Sequence, residues 1–126
     1  MVIGILQFEL LIHDAESLKD KRRVVNSVKD RLHREHMVAV AEVDALESLT
    51  TAVMGLACVG NDGKRIGDVL DRITVKLRGL TGAEMGECRR ELLHGVSPET
   101  IAPPPDEPDS IVEEMLEQME QAEDEP

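Results

Sequence analysis

The spacing of apolar residues changes from two to 3.6 and back twice along the chain, and each change marks an element. From Val2 to Ile12, Gly4, Leu6, Phe8, Leu10 and Ile12 alternate with Ile3, Ile5, Gln7, Glu9 and Leu11. That period predicts a strand with the first, more uniformly apolar set facing the core. Both sets are rich in apolar residues, which predicts a central strand rather than an edge. Leu18, Val25, Val28 and Leu32, widened by Val24, then follow helical spacing to a terminus between Arg34 and His36. Ser17 ahead of them, with Asp20 three positions on, has the pattern of a capping box.

Met37 to Val43 predicts a second strand, Asp44 to Ser48 a turn, and Leu49 to Val59 a third strand rich in Thr, Val and Met. Gly60-Asn61-Asp62-Gly63 breaks the chain and offers Asn or Asp as a cap. Ile66, Val69, Leu70, Ile73 and Leu77 form the stripe of a second helix, closed by Gly79. A last strand from Ala83 to Leu92 carries Glu84, Glu87, Arg89 and Glu91, the polarity of a sheet edge.

The order strand, helix, strand, strand, helix, strand predicts an α+β fold. Two split βαβ units give a ferredoxin-like βαββαβ two-layer sandwich, an antiparallel sheet with both helices on one face. In that arrangement the first and third strands are central, and these are the two most apolar strands here. Cys58 and Cys88 would then lie on strands flanking the first, ~9.5 Å apart, too far for a disulfide.

Residues 1–94 make this domain, and residues 95–126 are of another character. Pro98, Pro103, Pro104, Pro105 and Pro108 make Ser97 to Asp109 an extended linker. Ser110 and Glu113 then cap a short amphipathic segment over 110–121, marginal as an isolated helix, within a largely disordered acidic tail. The net charge of −12 is unevenly placed: 11 of the 26 acidic residues lie beyond His94, where there is no Lys or Arg. Residues 1–93 hold the remaining 15 acids and all 14 bases, a net of −1. The overall acidity therefore does not exclude a polyanionic partner for the domain.

Candidate catalytic chemistry is sparse. No serine sits in a nucleophile elbow, no glycine-rich phosphate loop is present, and the cysteines and histidines lack metal-site spacing. Glu42 and Asp44 share one strand face by period two, but carboxylates at a strand end usually meet only water. His33 and His36 read as solvated residues near a helix C-terminus. One Phe and no Tyr or Trp leave no aromatic platform for stacking bases on the sheet. No catalytic residue, metal, small-molecule cofactor, membrane span or secretion leader is expected, and the localisation expected is cytoplasmic.

The first helix is the exception. Lys19, Lys21, Arg22, Arg23, Lys29, Arg31 and Arg34 face only Asp20, Asp30 and Glu35 in opposition. Lys19, Lys21, Arg22, Arg23, Lys29 and Arg34 are the candidate RNA- or partner-binding residues, suited to a phosphate backbone rather than to reading bases. On the uncovered sheet face, Ile3, Ile5, Leu11 and Val53 are the candidate oligomer interface.

The run Ser17-Leu18-Lys19-Asp20-Lys21-Arg22-Arg23-Val24-Val25, followed by Val40-Ala41-Glu42-Val43-Asp44, resembles the YlxP-like bacterial family of unknown function, over residues 2 to about 92. The tail from Gly95 departs from that family's short ending. The resemblance implies a ferredoxin-like fold and a gene neighbourhood of translation initiation and ribosome-maturation factors, and brings no catalytic residues. The function expected is a non-enzymatic accessory binding protein that touches rRNA or a ribosomal small-subunit component through the first helix. The alternative is a homo-oligomeric interaction module, such as a homodimer, with no RNA role.

Overall fold

Alternation along the first strand is set by what covers it, and here both helices cover the same side. The computed structural model describes residues 1–95 and 117–119. Its elements are β1 (Val2–Leu11), α1 (Leu18–His36), β2 (Ala39–Asp44), β3 (Thr51–Gly60), α2 (Gly63–Arg78) and β4 (Glu84–His94). The fold is α+β, with a four-stranded open sheet in the order β2-β3-β1-β4 and every pairing antiparallel. The two most apolar strands, β1 and β3, are central, and the charged β4 is an edge.

Leu6, Phe8 and Leu10 of β1 join Met54 and Leu56 of β3 beneath Val25, Val28 and Leu32 of α1 and Leu70, Ile73 and Leu77 of α2. Phe8 is buried in this layer, so no aromatic ring is offered to a ligand. Gly4 lies where α2 crosses β1: a Cβ there would stand 2.5 Å from Ile66 Cγ2. The absence of a side chain lets helix and sheet approach closely.

Strand ends differ from the periodic reading by one or two residues, and the start of β2 shows why. Met37 is not in a strand: it takes a left-handed conformation (φ 54°) and donates its backbone N–H to His33 O, capping α1. Val38 then drops into the core, and β2 starts at Ala39. Asp62 caps α2 through Lys64 N at 3.0 Å. Cys58 sits opposite Gly4 and Cys88 opposite Phe8, so β1 and four residues of offset separate them, and both are free thiols. Burial pushes the Cys58 thiol pKa up.

Residues Met1–Gly95 form one compact unit, and Gly95 N donates to Met1 O at 2.8 Å. Of the second unit, Val96–Pro126, residues 117–119 are helical and exposed. The linker expected over 97–109 and the rest of the helix expected over 110–121 lie outside the described residues.

Candidate nucleic-acid interface

The basic helix begins at a side-chain cap. Ser17 is extended (φ −150°), and its Oγ accepts from Asp20 N at 3.1 Å. Asp20 Oδ2 in turn accepts from Glu16 N at 3.2 Å, one residue upstream of the reciprocal bond that a capping box would make. Both bonds fix the entry into α1 and hence the rotation of its faces.

That rotation corrects one expectation. Lys21 is not on the basic surface; it is buried, with 1% of its area exposed. The reason is in the spacing: Lys21, Val25, Val28 and Leu32 fall at i, i+4, i+7 and i+11, a single stripe. The Lys21 stem packs with the core, and its Nζ donates to Ala45 O at 2.6 Å. Glu42 Oε2 lies 2.9 Å away as an ion pair outside hydrogen-bond direction. Glu42 faces inward on β2, whereas Asp44 lies beyond a register shift, where its Oδ1 accepts from Ala45 N at 2.7 Å. The two carboxylates therefore do not share a site. Ala45 adopts φ 57°, a conformation unfavourable to a residue with a Cβ, and the bonds from Lys21 and to Asp44 hold it there.

The other predicted bases stay outside. Lys19, Arg22, Arg23 and Arg34 are exposed and Lys29 is half-buried; none forms an ion pair with another described residue. At 100° per residue, Lys19, Arg23 and Arg34 lie within about 60° of one another, opposite the buried stripe. Arg22 and Lys29 lie on one flank. From Lys19 to Arg34 the face runs ~22 Å along the axis.

On the other flank, α1 meets the turn that follows α2. Arg23, Val24, Ser27 and Arg31 on the helix and Leu80 and Thr81 on the turn enclose a cleft of about 280 Å³. Val24 and Leu80 pack partly against the core. Arg31 Nε donates to Glu35 Oε1 at 3.3 Å, and Lys76 Nζ of α2 donates to Glu35 Oε2 at 2.5 Å. These contacts hold the Glu35 carboxyl below its ordinary pKa, with the Lys76 bond the largest cause. Ser27, Leu80 and Thr81 escaped the sequence reading because no periodicity relates the turn to α1. Only Leu80, an apolar residue directly after the Gly79 cap, carried a signal.

Of the two histidines in the last turn of α1, His33 is exposed as expected and His36 is not. His33 Nδ1 lies 3.1 Å from Val38 O, and the Nε2 of His36 is buried without a partner among the described residues. Burial, then the charge of Lys76, pushes the His36 pKa down. Among the described residues no three His, Cys, Asp or Glu side chains converge as metal ligands, and no helix is long and apolar enough to cross a membrane.

On the sheet face away from the helices, Ile3, Ile5, Leu11 and Val53 are each half-buried. Register sets Ile3 beside Val59 and Ile5 beside Ala57, with Ala39 and Ala41 opposite Ala57 and Gly55. Neither α1 nor α2 covers this side, and Val59 is 66% exposed. Toward β4 the face turns polar, with Gln7 opposite Arg89 and Ile5 opposite Glu91.

Fold and site together define a small α+β domain with a basic helix in its outer layer and an apolar sheet face that neither of its two helices covers. The chain belongs to the DUF503 family, described as protein of unknown function, whose family model matches residues 3–90. It is similar to the uncharacterized protein YlxP of Bacillus subtilis (strain 168), 28% identical over 72 residues, which cover 57% of this chain and 78% of that relative.

Proposed function

We propose that this is a non-enzymatic, cytoplasmic accessory protein that contacts an RNA backbone through the outer face of α1, in ribosome maturation or translation. The observation that carries the proposal is the set Lys19, Arg22, Arg23 and Arg34: exposed, on one helix, and without ion pairs among the described residues. Lys64, Arg65, Arg72 and Arg78 of α2 are also exposed and without ion pairs among the described residues, so the distinction of α1 is the gathering of Lys19, Arg23 and Arg34 within about 60° of one another, with Asp30 the one acid among them. The gene neighbourhood implied by the family resemblance favours a small-subunit rRNA or ribosomal protein as the partner. We further infer that the body is of the ferredoxin-like type, supported by the order β2-β3-β1-β4 with both helices on one face.

Four phosphate contacts on single-stranded RNA give log K a slope against log salt of about −3. Replacing Lys19, Arg23 and Arg34 by Ala is expected to flatten that slope by about 2 and to weaken all RNA sequences alike. Fluorescence anisotropy across a salt series reads both. Binding insensitive to salt, or to the triple change, would overturn the proposal. Lys21 is left out of the set because its loss would disturb the fold.

A second reading has its own observation, the strip of Ile3, Ile5, Ala41, Gly55, Ala57 and Val59, which neither α1 nor α2 covers. Monomeric proteins seldom leave a contiguous apolar face of this kind open to water. A second copy of the chain, packed sheet to sheet, would cover it, and the two readings are compatible. Light scattering on the full chain tests it, with Ala57→Arg as the interface variant.

A further inference from the structure

We propose that the cleft between α1 and the turn after α2 receives one base of a single-stranded RNA whose phosphates lie along Arg23 and Arg34, so that the protein prefers unpaired RNA to duplex. The proposal rests on the RNA-contacting reading of α1 and names the state of the RNA that this site takes.

The cleft combines three kinds of surface within about 280 Å³. Val24 and Leu80 supply an apolar floor, Ser27 and Thr81 bring hydroxyls, and Arg23 and Arg31 bring guanidinium groups. A bare phosphate would satisfy the arginines and leave the floor unused. A purely apolar side chain would cover the floor and strip water from two charges, at a cost. A nucleotide meets all three requirements: its base is planar and largely apolar on its faces, its edge is polar, and its phosphate is anionic. The floor is partly buried against the core, so a base entering here displaces water from surface that is already half dry.

Arg31 is the residue prepared for stacking. Its Nε is bonded to Glu35, and Glu35 is held from its other oxygen by Lys76 on the neighbouring helix. The guanidinium is thereby oriented through a carboxylate that α2 fixes in place, while its two terminal nitrogens have no partner among the described residues. Arginine planes stack on unpaired bases, and a plane already oriented loses less freedom in doing so. This supplies on the helix layer what the sheet lacks for want of aromatic residues. Hydroxyls both donate and accept, so Ser27 and Thr81 suit the edge of any base, or a ribose 2′-OH, without selecting a sequence. In a duplex the bases are stacked inside the helix and unable to enter. Duplex RNA would then engage only the outer bases.

Anisotropy with the full-length protein tests this, using a short labelled single-stranded RNA, the same strand annealed to its complement, and inorganic polyphosphate as a competitor that has no bases. The single strand is expected to bind about fivefold tighter than the duplex. Ser27→Leu, which fills the cleft from the helix side without adding a ring on which a base could stack, is expected to bring the single strand down to the duplex value, and Thr81→Leu should do so from the opposite wall. Both positions are exposed, and far-UV circular dichroism checks that each variant is folded. Equal affinities in the unmodified protein, or a preference that survives both leucines, would overturn the cleft proposal. Binding of duplex and polyphosphate without preference for the single strand would do so while leaving the α1 reading intact. Failure to bind any of the three polyanions would remove both.

Discussion

At the scale of single residues, Lys21 has the most to say about how this sequence works. It belongs to the run that carries the family resemblance, and so does Glu42; the two meet inside the protein. Lys21 ties the first turn of α1 to the loop that follows β2, through Ala45 O and the Glu42 carboxylate. Removing one partner of a buried ion pair leaves the other uncompensated, which costs about 3–5 kcal/mol. Lys21→Met is therefore expected to destabilise the protein by about 3 kcal/mol, and adding Glu42→Leu to recover most of it, since an apolar pair of similar volume is often tolerated. Urea unfolding of the single and double variants measures this. An unchanged midpoint in Lys21→Met would refute the structural role. Below its unfolding range, that variant is expected to bind RNA like the unmodified chain, which separates this lysine from its exposed neighbours.

At the scale of elements, strand and helix patterning was legible wherever one side of an element is covered. β1 alternates because both helices pack on its even-numbered residues, and the stripe of α2 is read directly as Ile66, Leu70, Ile73 and Leu77. The i, i+4, i+7 relation of Lys21 to Val25 and Val28 places it on the buried stripe, a positional signal that its charge masks. Met37 was not legible: nothing local marks a methionine for a left-handed cap, which is imposed by burying Val38 next to it. The cleft was equally hidden, because it depends on the packing of two elements that are distant in sequence.

The seam between α1 and α2 also sets a pH dependence. His36 is surrounded by Lys76, Glu35, Arg72 and Arg31, and burial together with the cations lowers its folded pKa below the ordinary 6.5. Below that pH the unfolded chain binds a proton that the folded one declines, so stability falls as pH drops. Glu35, also lowered, adds a loss in the same direction only below about 4.5. Urea midpoints are expected to decline between pH 7 and about 5.5, and His36→Gln to flatten that decline. A decline of the same size in the variant would assign it to other groups.

At the scale of the whole molecule, the layered fold separates two surfaces that would interfere if they shared a side. The helix layer turns its free bases to water, and the sheet turns its apolar strip the opposite way. A face with Ala41, Gly55 and Ala57 at its centre and the exposed Val43 beside Gly55 is apolar throughout, as sheet-on-sheet packing at ~10 Å requires. Arg89 and Glu91 of the edge strand β4 fall to one border, with Glu9 of β1 next to them, in the manner of a polar rim beside an apolar interface. A second copy on this face would leave both α1 helices pointing outward on opposite sides, so a short RNA could engage only one of them. Light scattering is thus expected to give about twice the monomer mass of 13.9 kDa, and Ala57→Arg to give the monomer. Affinity for a short RNA should stay the same in both states. The acidic segment beyond residue 95 supplies the comparison, since Ile111, Val112, Met115 and Leu116 give it apolar residues of its own. A monomer that dimerises only after residues 96–126 are removed would assign the strip to that segment, and a monomer with and without them would end the dimer reading altogether.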